Sequence, residues 1–504
     1  MSSLKNKLGE INLKRNLTAG HAAWSGWRMN MFSDYELEAI HLGTLEVMEE
    51  TGLFIESNEA IDIFEKGGAK VDRQSKIVKV PRYLVEEALR TAPSGLTLAA
   101  RNPKHDFVME LDRVGFCAVG VSVSVVDLYT GEVRNSTKKD VENCGKLADA
   151  LDNYDICFDT LLPRDVPSET ACLHGFDAFI NTSSKHVLQT PTDKRTAEVL
   201  IEMASIVAGG KDKLKERAIV MGGACPQSPL AWSTGACDSV IEYARFGLPN
   251  LVVSMVMAGG SGPVTLAGTL IVHNAEILTG LVLSQLVRKG NPCIYGSCTT
   301  IMDLRKAVPA TGCPEHGMFS AACARLAQFY KIPNLVAGTW TDSKVSDMQA
   351  AHEKTLSAVL PALAGANLIT GAGTVESGLA IDFGQLVVDN EFHRLIKRVL
   401  KGMPVDDYSM VLDLIKKVGP RGNYLAEEHT LDNMRSCQTW PNLFDRNNRM
   451  GWVEAGSKDL AQKGNEKARE ILETYTPEKL PSNVSDKLTA IISDAEKDFG
   501  LTKK

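Results

Sequence analysis

Apolar runs rich in β-branched residues recur along the chain, and each is followed by glycine or serine and then by a stretch with helical periodicity. One strand, its crossover helix and the next parallel strand need roughly thirty residues, and successive runs start between 30 and 42 residues apart. Eight such units predict an α/β fold, a (β/α)8 TIM-type barrel of the usual size of about 250 residues, here over residues 116–401. The runs are Phe116–Val126, Ile156–Leu162, His186–Thr190, Ala218–Met221, Leu251–Met257, Pro292–Gly296, Asn334–Gly338 and Asn367–Gly371.

The segments on either side of the predicted barrel have other patterns. Residues 1–115 predict an N-terminal extension of short helices and a small β element, with a capping box of Ser33 and Glu36 at the start of one helix. Residues 402–504 predict a polar, helical C-terminal tail. Two of its stretches are amphipathic, and we interpret them as helices that pack on the barrel or hold a homo-oligomer together: Ala455–Tyr475 and Val484–Phe499.

An open, doubly wound sheet is the competing topology. It normally has fewer strands and an early glycine-rich phosphate-binding turn. The segment most similar to the Gly-x-Gly-x-x-Gly phosphate-binding pattern is Gly371–Gly378, in which the third glycine lies two residues beyond its expected position. In a second glycine-rich turn, Gly260–Pro263, the proline removes an amide that could donate to a phosphate. Both patterns favour tight turns at strand ends over nucleotide binding.

The most apolar segment, Val264–Val287, is long enough to cross a membrane. It carries Glu276 in its middle, which is costly in lipid, so it predicts a buried helix and no membrane association. The amino-terminal residues contain no apolar signal-peptide core. The 11 cysteines are scattered without the dense spacing of a disulfide scaffold, which predicts a reducing, cytoplasmic location.

Composition narrows the function. The 504 residues carry a formal net charge of −7, with 44% hydrophobic and 23% charged side chains, as in an ordinary soluble enzyme. The slightly acidic balance argues against nucleic acid as a partner and permits a cationic substrate.

Cysteine and histidine cluster within about thirty residues, which raises the question of a metal site. No Cys-x-x-Cys pair exists, and Cys293 and Cys298 are expected on opposite faces of a strand. His273 and Glu276 lack a second histidine four residues away. We therefore expect no metal, and a buried polar pair at His273 and Glu276. The clustered residues are Cys293, Cys298, Cys313, His316 and Cys323.

Candidate chemistry lies just after the predicted strands, because barrel active sites occupy the carboxyl ends. No serine has the Gly-x-Ser-x-Gly pattern of a nucleophile. Lys344 would form a Schiff base if desolvated, although an ion pair with nearby Asp342 is the commoner arrangement.

Aromatic and acidic residues at these strand ends fit a cation instead. Trp340 and Tyr295 would cage a quaternary ammonium, each contact contributing up to about 2 kcal/mol, although core aromatics would look the same in sequence. Asp342 and Glu376 would add negative charge.

A further pair could recognise a substrate carboxylate. Gln349 and His352 are three residues apart, so a helix beginning near Ser346 would place them on adjacent turns of one face. An unconnected surface histidine is the simpler alternative.

Several of these stretches, taken together, resemble the trimethylamine methyltransferase family. The likeness runs from about Asp34 to the C-terminal helices. It is carried by Gly268–Glu276, Thr341–Ala350, Ala362–Ile369 and the later residues His429, Thr430, Asn433, Arg435, Trp440, Pro441 and Leu443–Arg446.

The resemblance implies a barrel that takes a methyl group from a methylated amine. Family members pass it to the cob(I)alamin of a separate corrinoid protein, so no tightly bound cofactor is expected. The founding branch carries pyrrolysine near the strand corresponding to Asn334–Thr341, where this chain has only standard residues and Gly338 is the most plausible occupant. The similar branch without pyrrolysine is associated with quaternary amines such as glycine betaine, which is the substrate class we expect.

Other functions stay open on the sequence alone. One is a lysine-dependent aldolase or lyase that uses Lys344. Another is a non-catalytic barrel that binds a betaine. The sequence does not distinguish glycine betaine, proline betaine, carnitine and γ-butyrobetaine, and it assigns no catalytic residue.

Overall fold

Eight parallel strands close into a barrel in the computed structural model, which describes residues 30–110, 112–118, 122–158 and 161–501. Each strand pairs with the next along the chain, and the last pairs with the first through Leu368 and Gly115. The strands are β1 Gly115–Ala118, β2 Ile156–Phe158, β3 His186–Gln189, β4 Val220–Ala224, β5 Asn250–Ser254, β6 Cys293–Ser297, β7 Asn334–Ala337 and β8 Leu368–Ala372.

A helix follows each strand and packs outside the barrel, which confirms the predicted (β/α)8 fold. A short additional helix, Lys211–Glu216, follows the third barrel helix. The barrel helices are α1 Lys138–Ala150, α2 Ala171–Thr182, α3 Lys194–Ala208, α4 Thr234–Phe246, α5 Leu266–Val287, α6 Pro314–Phe329, α7 Met348–Leu363 and α8 Phe383–Leu400.

The barrel interior is filled by side chains that alternate with those facing the helices. Leu251, Ile294, Leu335 and Leu368 belong to this inner cluster. The antiparallel strands Leu96–Leu98 and Phe107–Met109 form a hairpin whose apolar side chains pack into the amino end of the barrel. The interior is therefore closed at the amino end of the barrel.

Short strands form a second tier above the carboxyl end. Within the predicted run Phe116–Val126, residues 119–121 lie outside the described residues; β1 covers Gly115–Ala118, Ser122 bridges to Leu161, and a separate strand covers Ser124–Val126. Ser124–Val126 joins Val133–Asn135, Ala380–Asp382 and Thr374–Val375 in one sheet. A second sheet contains Met257–Ala258, Thr300–Asp303 and Val308–Ala310. The described residues also contain three short 3-10 turns: Pro103–His105, Ser168–Thr170 and Glu376–Gly378.

The N-terminal segment wraps the outside of the barrel. The capping box is confirmed: Ser33 accepts from the Glu36 amide, and the Glu36 carboxylate accepts from the Ser33 amide. The helices are Asp34–Glu46, continued by a π-helical turn at Val47–Thr51, then Asn58–Gly67 and Arg82–Thr91; the strands Leu53–Ile55, Lys70–Asp72 and Ile77–Lys79 form a sheet with Ala231–Trp232.

Helix α5 contains the segment that could span a membrane by length and hydropathy. In the structure it is a core helix, with 72% of its apolar window buried. Its Asn274 amide donates to Thr44 at 3.0 Å, and its Gln285 accepts from Thr91 at 3.1 Å. The prediction of a buried helix is confirmed.

The described part of the C-terminal tail, residues 402–501, contains six helices. The last two are those predicted from amphipathicity, and both pack on the barrel of their own chain: Asn181 of α2 accepts from Ser485 at 2.7 Å, and Gly464 lies against Val388 of α8. The helices are Asp407–Met410, Leu412–Val418, Glu428–Cys437, Arg449–Glu454, Leu460–Thr474 and Ser482–Asp498.

Candidate active site

Two loops at the carboxyl end, residues 338–347 after β7 and 373–382 after β8, are joined into one unit. The amide of Glu376 donates to the Ser343 carbonyl and that of Ser377 to the Thr341 carbonyl, both at 2.8 Å. The Ser377 hydroxyl donates to the Asp342 carboxylate at 2.7 Å. Trp340, Asp342 and Glu376, three residues predicted from the sequence, are thus brought to one side of the barrel mouth.

The Trp340 indole lies in a slot that only glycine leaves open. A Cβ on Gly371 would sit 2.0 Å from the indole Cδ1, and one on Gly378 would sit 2.4 Å from Cζ3. Both glycines have positive φ, +118° and +90°, which other residues rarely adopt. The indole is half-buried, so its orientation is fixed while part of its surface faces solvent.

His316, at the start of α6, packs against this indole with ring centroids 6.1 Å apart. Its Nδ1 donates to the Thr299 carbonyl at 3.1 Å, which leaves Nε2 as an unprotonated acceptor. Burial lowers the pKa of His316 to about 4. The ring is therefore neutral at physiological pH and places no positive charge beside Trp340.

The two loops are acidic. They carry one basic residue, Lys344, and four acidic ones: Asp342, Asp347, Glu376 and Asp382. The Asp342 Oδ1 atom accepts from the amide and hydroxyl of Thr311 at 2.8 and 3.0 Å. Charge of one sign concentrated at a cleft attracts ligands of the opposite sign, so this side of the mouth favours a cation.

A buried ion pair holds both loops from below. The Nζ of Lys354 in α7 lies 2.9 Å from Asp389 in α8, and both side chains are 0% exposed. Lys354 also donates to the Thr339 carbonyl at 2.8 Å, and Asp389 accepts from the Gly373 amide at 2.7 Å. One pair thus anchors the residue before Trp340 and the first residue of the neighbouring loop.

The backbone of these loops is strained. Thr339, Glu376 and Ser377 have φ values of +56°, +53° and +56°, in the left-handed region that costs non-glycine residues on the order of 1 kcal/mol or more each. The Thr339 hydroxyl is 2.9 Å from Nε2 of His393, so side-chain contacts hold this geometry. Strain of this kind concentrates at functional sites.

The wall of the mouth formed after β4, β5 and β6 carries sulfur-containing side chains. Cys225, Met255 and Cys298 follow β4, β5 and β6, and solvent reaches all three. Surrounding protein nevertheless raises the pKa of the Cys225 thiol to about 11 and that of Cys298 to about 12. These thiols stay protonated at neutral pH, and the wall offers sulfur and apolar groups to a ligand.

Tyr295, predicted as the second wall of an aromatic cage, lies elsewhere. Its neighbour Ile294 faces the barrel interior, so Tyr295 points outward, is 0% exposed and donates to Asn274 of α5 at 3.0 Å. A cage at the mouth would have to form without this ring.

The remaining predicted site residues lie on or against α7. A Cβ on Gly338 would sit 2.6 Å from Ile369 and 2.9 Å from the Ser357 carbonyl, so no larger side chain fits there. Gln349 is exposed and donates to Glu353 at 2.8 Å. His352 is exposed on the same helix. The structure therefore ties Gln349 to its own helix and does not pair it with His352.

Lys344 and the histidine–glutamate motif have structural roles. Lys344 is exposed, and its Nζ donates to the Asp342 carbonyl at 2.7 Å, so it lacks the desolvation that a Schiff-base lysine needs. His273 and Glu276 are both buried, but each has other partners: Thr299 and Cys323 for the imidazole, Ser228, Leu230 and Ser254 for the carboxylate.

Within the residues that the structure describes, no three histidine, cysteine, aspartate or glutamate side chains converge on a point that could hold a metal ion.

The sequence did not predict two features of this site, the ion pair of Lys354 and Asp389 and the neutral state of His316. The pair joins residues 35 positions apart on two helices, and no local pattern indicates it.

A family model described as "Trimethylamine methyltransferase (MTTB)" matches residues 15–500. The chain belongs to this family. It is 46% identical to the trimethylamine methyltransferase MttB of Desulfitobacterium hafniense (strain DSM 10664 / DCB-2) over 97% of this chain and 99% of that one. It is 38% identical to the MttB of Methanosarcina barkeri (strain Fusaro / DSM 804), over 96% and 99% of the two chains.

The family also contains a relative with a different substrate in its name. The glycine betaine methyltransferase of Desulfitobacterium hafniense (strain Y51) is 32% identical over 94% of this chain and 98% of that one. Among solved structures, the Methanosarcina barkeri monomethylamine methyltransferase aligns over 87% of this chain and 93% of that one, with 13% identity and a TM-score of 0.47. Family membership makes this chain an enzyme that transfers methyl groups from methylated amines.

Proposed function

We propose that this methyltransferase takes its methyl group from a quaternary amine of the betaine type and transfers it to the Co(I) centre of a separate corrinoid protein in the cytoplasm. All eleven cysteines are free thiols, which fits a reducing compartment. The acceptor arrives with its own protein partner, so the chain needs no resident cofactor.

The observation that carries the substrate class is the fixed indole of Trp340 within acidic loops. A quaternary ammonium cannot donate a hydrogen bond, so a protein recognises it by aromatic faces and by negative charge. Trp340 provides the face, and Asp342 and Glu376 provide charge on the same pair of loops. Because His316 is neutral, it adds no repulsion of a cation beside Trp340.

The reaction needs orientation more than acid–base groups. The two electrons of Co(I) form the Co–C bond, the N–CH3 bond breaks, and its electron pair stays on nitrogen, giving a neutral tertiary amine and methyl-Co(III). No proton moves. The protein contributes by holding one N-methyl group in line with the attacking cobalt and by excluding water.

The crowded environment of Gly338 supports a donor that is already quaternary. Pyrrolysine is thought to form an adduct that makes trimethylamine quaternary before transfer. At Gly338 the space for a side chain is filled by Ile369 and by α7. A betaine carries its activating positive charge from the start and needs no adduct.

The roles of Tyr295, Gln349 and His352 in substrate binding stay predictions. The buried Tyr295 would act only through the shape of the barrel wall. His352, being exposed, is the better placed of the other two to meet a substrate carboxylate.

A methyl-transfer assay tests the proposal. The protein is mixed with reduced corrinoid protein and, in turn, with glycine betaine, proline betaine, carnitine and γ-butyrobetaine, and the cobalt absorbance spectrum is followed. We expect methyl-Co(III) with at least one of them. Formation with none of them would contradict the proposal. If a betaine then still raised the thermal midpoint by binding the folded state, a non-catalytic betaine-binding barrel would replace it.

A further inference from the structure

Glu276 in α5 is a buried carboxylate that the proposed mechanism does not use. Its side chain is 0% exposed. Its Oε2 atom accepts from the hydroxyls of Ser228 at 2.8 Å and Ser254 at 2.6 Å, and its Oε1 atom accepts from the Leu230 amide at 2.8 Å. Burial raises the pKa of Glu276, and these three hydrogen bonds oppose the rise. Donors directed at both oxygens stabilise the charged form of a carboxyl group.

Glu276 forms no ion pair within the part of the chain that the structure describes. Other buried carboxylates of the barrel do: Asp389 pairs with Lys354 at 2.9 Å and Asp155 with Lys397 at 3.0 Å. The donors to Glu276 are all uncharged. A buried charge without a counter-charge is costly to a fold, which indicates that this one has a use beyond packing.

One partner of Glu276 places it directly behind the sulfur-containing wall of the mouth. Ser254 is the last residue of β5 and precedes Met255. The Ser254 carbonyl also accepts from the Cys298 amide at 2.9 Å. The carboxylate is therefore bonded to the residue that connects two side chains of this wall.

The other two partners lie in the loop after β4, whose first residue is Cys225. Gln227 and Ala231 close the turn of this loop by two backbone hydrogen bonds of 2.7 and 3.1 Å. Between them, Leu230 has a φ of +52°, in the left-handed region that is strained for residues other than glycine. Glu276 thus holds a strained turn, and the wall that it carries, against the end of β5.

The charge of Glu276 also acts on a ligand at the mouth. A charge enclosed by protein is screened less than one in water. It makes the potential at the mouth more negative, and a bound cation offsets part of the cost of burying it. A neutral ligand of the same shape gains nothing from this charge.

We propose that Glu276 is a positioning and specificity-determining residue for the methyl donor. Its carboxylate fixes the β4 loop that carries Cys225, and its charge favours a cation over a neutral molecule of equal shape. Trp340 and the acidic loops act from the β7–β8 side of the mouth, and Glu276 acts from the β4–β5 side. The inference rests on the proposed function for the identity of the ligand.

The test compares the betaine that is active in the methyl-transfer assay with its carbon isostere, in which a quaternary carbon replaces nitrogen (3,3-dimethylbutanoate for glycine betaine). Dissociation constants are measured by calorimetry. The wild type should bind the betaine at least about 20-fold more tightly than the isostere. Glu276→Gln removes the charge and keeps the shape, so it should lower this ratio about 10-fold.

A merely structural role would weaken the binding of both ligands equally. An unchanged ratio in Glu276→Gln would therefore overturn the proposal and leave the proposed function intact. A wild type that does not prefer the betaine would overturn it as well. If no betaine transfers its methyl group, the assay itself contradicts the proposed function, and this inference falls with it.

The matched control is Asp149→Asn. Asp149 is a buried carboxylate near the end of α1, at the amino end of the barrel, and it accepts from the Ser184 amide at 2.8 Å and the Tyr475 hydroxyl at 2.6 Å. The control should leave the ratio within about 2-fold of the wild type, because solvent and salt screen a charge at that distance. An equal fall in both variants would overturn the role of Glu276, because net charge alone would then set the preference.

Glu276→Gln is expected to fold. Glutamine keeps an acceptor for the Leu230 amide, and its Nε2 can donate to the serine hydroxyls. If the variant nevertheless misfolds, Ser228→Ala tests the positioning role, because it removes one bond to the β4 loop and keeps the charge. Both ligands should then bind about 3- to 5-fold more weakly with an unchanged ratio. Unchanged affinity for both ligands would overturn the positioning role.

Discussion

At the level of single residues, the proposed cation site depends on how Trp340 is held. Two glycines with positive φ, Gly371 and Gly378, leave room for the indole where any Cβ would collide with it. The sequence indicated Trp340 because it follows a strand at the catalytic end of a barrel. It did not indicate that Gly371 in β8 and Gly378 in the following turn leave the space that this indole occupies.

The indole itself should carry much of the affinity for a cation. Trp340→Ala removes a cation–π contact worth up to about 2 kcal/mol, so we expect the dissociation constant for glycine betaine, measured calorimetrically, to rise about 10- to 30-fold. Trp340→Phe keeps a weaker aromatic face, so its dissociation constant should lie between those of the wild type and Trp340→Ala. Equal affinities for wild type and Trp340→Ala would show that the cation binds elsewhere.

The slot can be tested separately from the ring. Gly378→Ala should push the indole aside and weaken betaine binding about 10-fold. Gly131→Ala is the matched control, since its φ is +76° but its Cβ would meet nothing within 4 Å. The control should lose about 1 kcal/mol of stability and no affinity. Equal affinity in the two variants would show that the slot does not orient Trp340.

At the scale of elements, the strands were predictable and the direction of their side chains was not. All eight strands lie at or within a few residues of the predicted runs, because buried parallel strands are continuous apolar segments. For the same reason both faces of such a strand look alike in sequence. Tyr295 was expected at the mouth, but the alternation set by Ile294 points it outward.

The helices behind the site contribute what local sequence patterns could not show. Lys354 and Asp389 meet only because α7 and α8 are neighbours in the closed barrel. Gln349 was expected to bind substrate, although Glu353 four residues later is its partner in the helix. A second buried pair, Lys397 and Asp155, lies at the opposite end of the barrel.

These two pairs allow a controlled test of loop positioning. Lys354→Met and Lys397→Met each remove the ammonium group beside a buried aspartate and should each lose about 3 to 5 kcal/mol of unfolding free energy. Only Lys354→Met releases the Thr339 carbonyl, so it alone should raise KM for the betaine, by about 10-fold. Steady-state kinetics at a temperature where both variants are folded measures this. An equal rise in KM for both variants would show that KM depends on the stability of the whole barrel and not on the position of the Thr339 loop.

At the scale of the whole molecule, the barrel buries four histidines in their neutral form: His186, His273, His316 and His393. Burial lowers the pKa of the first three to about 4, 3 and 4, and that of His393 well below its usual value. In the unfolded chain each would titrate near 6.5. The unfolded state therefore binds more protons below pH 6.5, and acid favours unfolding.

This linkage predicts a steep acid dependence of stability. The contribution of the four histidines to the free energy of unfolding should be complete above pH 6.5 and lost as the pH falls from about 6.5 towards 4. Each neutral histidine should contribute up to about 1.4 kcal/mol per pH unit. Denaturant unfolding at pH 7.5, 6.5 and 5.5 measures the slope. A free energy of unfolding that is unchanged between pH 6.5 and 5.5 would contradict the buried neutral state.

In our proposal the mouth accepts a methyl donor that is already quaternary. The most direct measurement takes the betaine that is active in the methyl-transfer assay and compares it with its demethylated tertiary counterpart (dimethylglycine for glycine betaine) in single-turnover methyl transfer to reduced corrinoid protein, with trimethylamine as a third donor. We expect methyl-Co(III) from the betaine and none from the two tertiary amines. Methyl-Co(III) from trimethylamine and none from any betaine would contradict the proposal.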